Sequence, residues 1–341
     1  MFFSQIHKRD RLPTFVNQGV QSSPPKDACR ATIYCNKHRI ICTGFAPTKE
    51  QSINKASNFS QFLQHSDEGE KWCFAHLDMT DDGITLAQAI SQGDAIAISD
   101  GSFQDTYGTA AWVLEGIDSV GRIKGAVVVP GTAKDQSAYR SELAGIYSIM
   151  VAVTKLCKFF EIQQGAIELG CDGQSALDKA FNHVALIRIE DANHDLLQAI
   201  RYLWASSPLQ WKFRHVRGHQ DDHADARDLD RWAKLNIEMD ANAKQHMSIA
   251  RRSPRHFMIA SEPWSIWYQG QKITSDLSNT VYDLVHSNEM KEYWSRKQDL
   301  TVAAVNEVNW EAIGKAMQET KRSRRVLSLN TPVVCVGSGS S

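Results

Sequence analysis

Four acidic residues fall where a compact α/β fold could gather them. Asp100 ends an apolar run, AIAIS (95–99), and is followed by Gly101 and Ser102. Glu142 lies early in a long amphipathic stretch, Asp172 directly follows AIELGC (166–171), and Asp240 sits within LNIEMDANAK (235–244). A carboxylate closing a buried strand is costly unless a cation sits on it. Four carboxylates in one place repel one another and, left bare, take raised pKa values. Hard divalent cations such as Mg²⁺ prefer oxygen ligands, and two of them match the charge of the four acids. A pair of metals about 3.5–4 Å apart suits in-line phosphoryl displacement, because it stabilises both the attacking water and the departing 3′ oxygen. Taken singly, each acid reads as a turn former, cap or solvated residue, as Asp221, Asp222, Asp225, Asp228 and Asp230 do. The chemical reading rests on joint placement.

The elements that must do the placing are visible in the pattern. AIAIS has the length and small apolar character of a strand buried on both faces. TAAWVLE (109–115) and IKGAVVVP (123–130) follow, with Asp118 and Gly121 between them as turn residues, giving a meander of three strands. In SAYRSELAGIYSIMVAVTKLCKFF (137–160), Tyr139, Leu143, Ile146, Tyr147, Met150, Val153 and Cys157 recur at helical spacing. AIELGC and WKFRHV (211–216) are strands. SALDKAFNHV and DLLQAIRYLWA are two pieces of a split helix, and 229–247 is a final helix. The order β-β-β-α-β-α-β-α predicts a five-stranded mixed sheet with helices on both faces.

Composition sets the bounds. The chain has 341 residues, 42% of them hydrophobic, and a net charge of −1. Residues 95–250 carry 16 Lys/Arg against 20 Asp/Glu, so this span repels a phosphate backbone unless cations neutralise part of it. Residues 1–94 are balanced at 10 and 10, and residues 251–341 are basic at 12 and 9. No apolar run approaches the ~20 residues that span a bilayer. The opening MFFSQIHKRD lacks a hydrophobic signal core, so an intracellular protein of cytoplasm or nucleus is expected, neither secreted nor membrane-bound. Seven cysteines in a chain this long point to reduced thiols rather than a disulfide scaffold.

The pieces around the four acids resemble a family. SDGS (99–102), YRSELAG (139–145), CDGQSAL (171–177), HVRGHQ (215–220) and MDANAK (239–244) are similar, in order and placement, to the type 1 ribonuclease H domain, especially those appended to retroelement reverse transcriptases. The likeness covers about 95–250. It implies a ribonuclease H-like fold. It implies that Asp100, Glu142, Asp172 and Asp240 are metal ligands for two Mg²⁺ ions, with Mn²⁺ a possible substitute. It implies that His219 assists proton transfer or product release, work that suits a group titrating near 6.5. Ser102, Arg140 and Gln174 fall where the family contacts its substrate. That substrate is an RNA–DNA hybrid cut in its RNA strand, the 2′-hydroxyl marking the strand. Two features depart from the family. FQDTYGTAA replaces the glycine-rich turn, and a long acidic segment separates His219 from Asp240. No YxDD polymerase signature is present. The expected organisation is an N-terminal extension (1–94) trailing from a polymerase region, with a hairpin near 31–45, then a catalytic domain (95–250), then a mainly helical extension (251–341) with a disordered end. The competing readings are an inactive nucleic-acid-binding relic of a polyprotein and another nuclease or transposase of the same general fold.

Other constellations are weaker. Cys29, Cys35, His38 and Cys42 have a spacing that matches no common zinc motif, so structural cysteines on a hairpin are expected. HQDDHADARD reads as a solvated loop, and Cys171 as a small buried hydrophobe. RRSPRH and KRSRR, with Trp264, Trp267 and Tyr268, read as a basic tip and core anchors rather than as a stacking surface.

Overall fold

In the computed structural model the run from Ala95 becomes an interior strand of a six-stranded sheet. The structure describes residues 30–35, 40–45, 56–116, 121–182, 184–188, 190–218, 220, 227–255, 258–262, 264–268, 271–308 and 312. The elements in chain order are β1 (Arg30–Cys35), β2 (Ile40–Phe45), α1 (Phe59–Gln64), α2 (Glu68–Lys71), β3 (His76–Met79), α3 (Ile84–Gln92), β4 (Ala95–Gln104), β5 (Tyr107–Gly116) and β6 (Arg122–Val128). They continue with α4 (Ala138–Phe159), β7 (Ala166–Cys171), α5 (Gln174–Phe181), α6 (His194–Ser206), β8 (Gln210–His215), α7 (Arg231–Ala250), β9 (Trp264–Tyr268), β10 (Gln271–Ile273), α8 (Leu277–Gln298) and α9 (Val302–Glu307).

The chain divides into two compact units, 1–280 and 281–341. In the first, the sheet order is β3-β6-β5-β4-β7-β8. β4, β5 and β6 form the expected antiparallel meander, and β7 and β8 run parallel to β4. The two parallel crossovers carry α4 and the α5–α6 pair, so the second crossover helix is split as its sequence indicated. This is the mixed α/β architecture with helices on both faces that the sequence predicted. The strand count is six rather than five because His76–Met79 pairs antiparallel with β6 at the edge. Four residues alternating between exposed and half-buried are too short a run to show a period in the sequence.

Alternation along the central strands assigns the two faces. Ala95, Ala97, Ala110, Trp112 and Leu114 face the large core with α4, α6 and α3. Ile96, Ile98, Ala111 and Val113 face Leu235, Met239 and Ala243 of α7. Helices on both faces leave β4 no solvated side, which is why AIAIS reads as unbroken apolar sequence. α4 starts at Ser137, whose side chain accepts from the Arg140 N–H as an N-cap. Its apolar residues, Leu143, Ile146, Tyr147, Met150 and Val153 among them, are buried, each contributing about 1.5–3 kcal/mol by area. Gly101 and Gly145 allow this close approach. A Cβ on Gly101 would lie 2.7 Å from the Glu142 backbone nitrogen, and one on Gly145 would lie 2.8 Å from the Ser99 Cβ.

The first unit also holds a second sheet, ordered β1-β2-β9-β10 and antiparallel throughout. It joins the strands of the expected hairpin near 31–45 to β9 and β10. Cys35 and Cys42 lie on β1 and β2, while Cys29 and His38 fall outside the described residues. Cys73, Cys157 and Cys171 are buried free thiols. The unit from 281 contains most of α8 and the short α9, whose N-cap Thr301 accepts from the Ala304 N–H. KRSRR and the C-terminal TPVVCVGSGSS lie outside the described residues. Among the described residues, no helix is long and apolar enough to cross a membrane.

Candidate active site

β4 and β7 run side by side as far as Ser99 opposite Cys171. Asp172 follows the end of β7. Asp100 does not end its strand as the sequence suggested but sits in the middle of β4, where the pairing with β7 stops and that with β5 continues to Gln104. α4 crosses behind them and supplies Glu142 from its first turns. α7, on the opposite face, supplies Asp240. The four carboxylates line one cleft with Gly101, Ser102, Phe103, Asn236, Ile237 and Lys244.

The contacts within it are specific. The Gly101 N–H donates to Glu142 Oε1 at 3.0 Å, and the Cys171 thiol donates to Oε2 at 3.1 Å. Asn236 Nδ2 reaches Asp100 Oδ2 at 3.4 Å, and Lys244 Nζ pairs with Asp240 Oδ2 at 2.7 Å. The Ser141 hydroxyl lies 3.1 Å from the carbonyl oxygen of Ser102, tying the strand end to the helix. His215 Nε2 lies 3.0 Å from the Asp172 carbonyl oxygen. Gly218 passes so close that a Cβ there would lie 2.8 Å from Asp172 Oδ2.

Electrostatics follow from this crowding. Asp100, only 4% exposed, is pushed up to about 9, by burial first and then by Glu142, Asp172 and Asp240. Glu142 is pushed up to about 8, again by burial first and then by Asp172, against the opposing pull of the Cys171 and Gly101 bonds. Burial, with Glu142 next, raises the Cys171 thiol well above its ordinary range. Bare, the cleft binds protons at neutral pH. Its four acids offer carboxylate oxygens, and those of Glu142 and Asp172 lie, with the Cys171 sulfur, within 4.8 Å of one another. This donor set fits hard divalent cations, which would replace those protons.

Of the other residues singled out in the sequence, Ser102 lines the cleft. Gln174 is exposed at the start of α5, where its Nε2 donates to Asp178 Oδ1 at 2.6 Å. Arg140 is not brought to the cleft. It lies two positions before Glu142, a spacing that puts the two side chains on different helix faces. It is 1% exposed and bonded to both Asp195 oxygens, Asn193 Oδ1 and the Pro130 carbonyl. Its guanidinium is occupied by structure, so the substrate contact expected of it is corrected. His219 lies outside the described residues, as does most of the acidic segment after it. Asn236, Lys244 and Phe103 went unremarked in the sequence. The signal for the first two was present, because Asn236, Asp240 and Lys244 repeat at intervals of four and so share a face of α7.

No family profile matches the chain, and no curated protein sequence does. Among solved structures, it is similar to RNase H1 from the halophilic archaeon Halobacterium salinarum NRC-1, with 18% identity and a TM-score of 0.31 over 46% of this chain and 98% of that one. It is similar to the N-terminal RNase H domain of rv2228c from Mycobacterium tuberculosis, with 12% identity and a TM-score of 0.30 over 46% and 96%. It is also similar to LC11-RNase H1, isolated from compost and solved in complex with an RNA/DNA hybrid, with 11% identity and a TM-score of 0.34 over 46% and 99%.

Proposed function

We propose that this protein is a metal-dependent endoribonuclease that hydrolyses the RNA strand of RNA–DNA hybrids. The observation that carries the proposal is the cleft itself. Four acids from four separate motifs line it, and burial first, then their mutual repulsion, pushes the carboxyls of Asp100 and Glu142 well above the usual range. Asp100, Glu142, Asp172 and Asp240 would hold two Mg²⁺ ions. When bound, such ions supply Lewis acidity to a phosphodiester and lower the pKa of water.

The chain's own residues would do the rest. Asn236 and the Gly101 N–H orient Asp100 and Glu142. Lys244 is paired with Asp240 and places a positive charge at the cleft wall. Ser102 and the exposed ring of Phe103 present the end of β4 to a substrate backbone. His219 would serve in proton transfer. The close approach of Gly218 to Asp172 supports this, because it brings the preceding turn to the cleft. The motifs resemble those of domains appended to retroelement reverse transcriptases, and the proposal extends to that setting.

The test is cleavage of a hybrid labelled on its RNA strand. Mg²⁺-dependent products with 5′ phosphate and 3′ hydroxyl ends, lost in Asp172→Asn, support the reading. Binding of the hybrid without cutting would instead identify a non-catalytic relic.

A further inference from the structure

The residues after α7 return to the start of α4. Glu262 and Lys272 are both buried, and Lys272 Nζ bridges Glu262 Oε2 at 2.5 Å and Asp195 Oδ2 at 3.2 Å. Asp195 is the carboxylate that grips Arg140 from both oxygens, at 3.0 and 2.8 Å. One strand-end further on, the Thr274 hydroxyl donates to Asp135 Oδ1 at 2.5 Å. Asp135 in turn accepts from the Thr132 N–H and hydroxyl, fixing the loop that leads into α4. Arg140 Nε closes the ring on the Pro130 carbonyl at 2.7 Å. At the other end, Ala260 sits against Gly69, where a Cβ would lie 2.6 Å from the Ala260 nitrogen. The described residues 258–262, 264–268 and 271–274 therefore form a strap fastened at α2, at the loop before α4 and at α6.

We infer that this strap is a positioning element for Glu142, acting through the buried chain Glu262–Lys272–Asp195–Arg140 and the Thr274–Asp135 bond. Glu142 lies two residues beyond Arg140 in the same helical turn. Its height over β4 follows from where α4 begins, and the N-cap Ser137 lies two residues past Asp135, which the strap's Thr274 holds. Buried ion pairs are costly to assemble, and the partners they require restrict the geometry of the elements that carry them. Displacement of a reacting group by about 1 Å can cost on the order of 10²-fold in rate. The residues that carry the strap lie outside the span of the nuclease motifs.

The inference rests on the proposed nuclease reading, and the experiment separates the two. The double variant Lys272→Met/Glu262→Gln removes one buried ion pair without stranding a charge, and leaves Arg140 on Asp195. In a folded variant, the expected result is a kcat on hybrid lowered about tenfold or more with KM within about twofold. The Mg²⁺ concentration at half-maximal thermal stabilisation should rise by a similar factor. That second readout reports the cleft directly and needs no cleavage. If wild-type protein leaves hybrid uncut, the nuclease reading fails while the Mg²⁺ midpoint still judges the strap. A folded double variant with unchanged kcat and unchanged Mg²⁺ midpoint overturns the inference. Should the double variant not fold, Thr274→Val decides by the same readouts, an unchanged kcat and midpoint again overturning it.

Discussion

At the residue scale, Asp100 is the point where fold and chemistry conflict. Its carboxyl is driven to about 9 by burial and by three neighbouring acids. A folded-state pKa above the unfolded value contributes stability at low pH that is lost as pH rises through the folded value. Metal-free protein should therefore lose stability between about pH 4 and pH 9 on account of Asp100 and Glu142, read by thermal melts across that range. Asp100→Asn should flatten the profile, raise the metal-free melting temperature at pH 8 and abolish cleavage. The acid was legible because an apolar strand ran into it. The Cys171 thiol on Glu142 was not, because a buried cysteine gives no sign in sequence of what its sulfur touches.

At the element scale, the site depends on how closely α4 lies on β4. Gly101→Ala would drive a Cβ into the Ser141–Glu142 backbone, which cannot yield as a flexible side chain can. Overpacking of this kind costs about 1–3 kcal/mol, and urea denaturation should show it together with a fall in activity. Arg140 belongs to the same scale. Burial alone would raise Asp195, yet Arg140 and Lys272 hold its carboxyl well below the usual carboxylate range. The stability this contributes is present above about pH 4 and lost as pH falls below it. Arg140→Met should cost about 3–5 kcal/mol by leaving buried charge unpaired, with its effect on denaturation midpoint rather than on KM. YRSELAG displayed Arg140 beside Glu142 as though both served the substrate. The helical period separates them onto different faces, and the partner Asp195 lies more than fifty residues on, beyond the reach of any local pattern.

At the scale of the whole molecule, the central meander, the split second helix and both helical faces were legible because their periods are long and regular. The edge strand β3 and the joining of the expected hairpin to β9 and β10 were not, since short strands owe their pairing to partners far away in sequence, as β2 does to β9. The cleft's charge makes a prediction here too. Added Mg²⁺ should raise the melting temperature more at pH 8 than at pH 5, because at pH 5 protons already occupy Asp100 and Glu142. Asp100→Asn should weaken that response. The most direct measurement of the central claim is hydrolysis of an RNA–DNA hybrid labelled on its RNA strand, with wild type and Asp100→Asn compared in Mg²⁺ and in Mn²⁺. The account predicts RNA-strand cleavage by the wild type that requires the metal and disappears in the variant. A hybrid left intact by folded wild-type protein in both metals would contradict it.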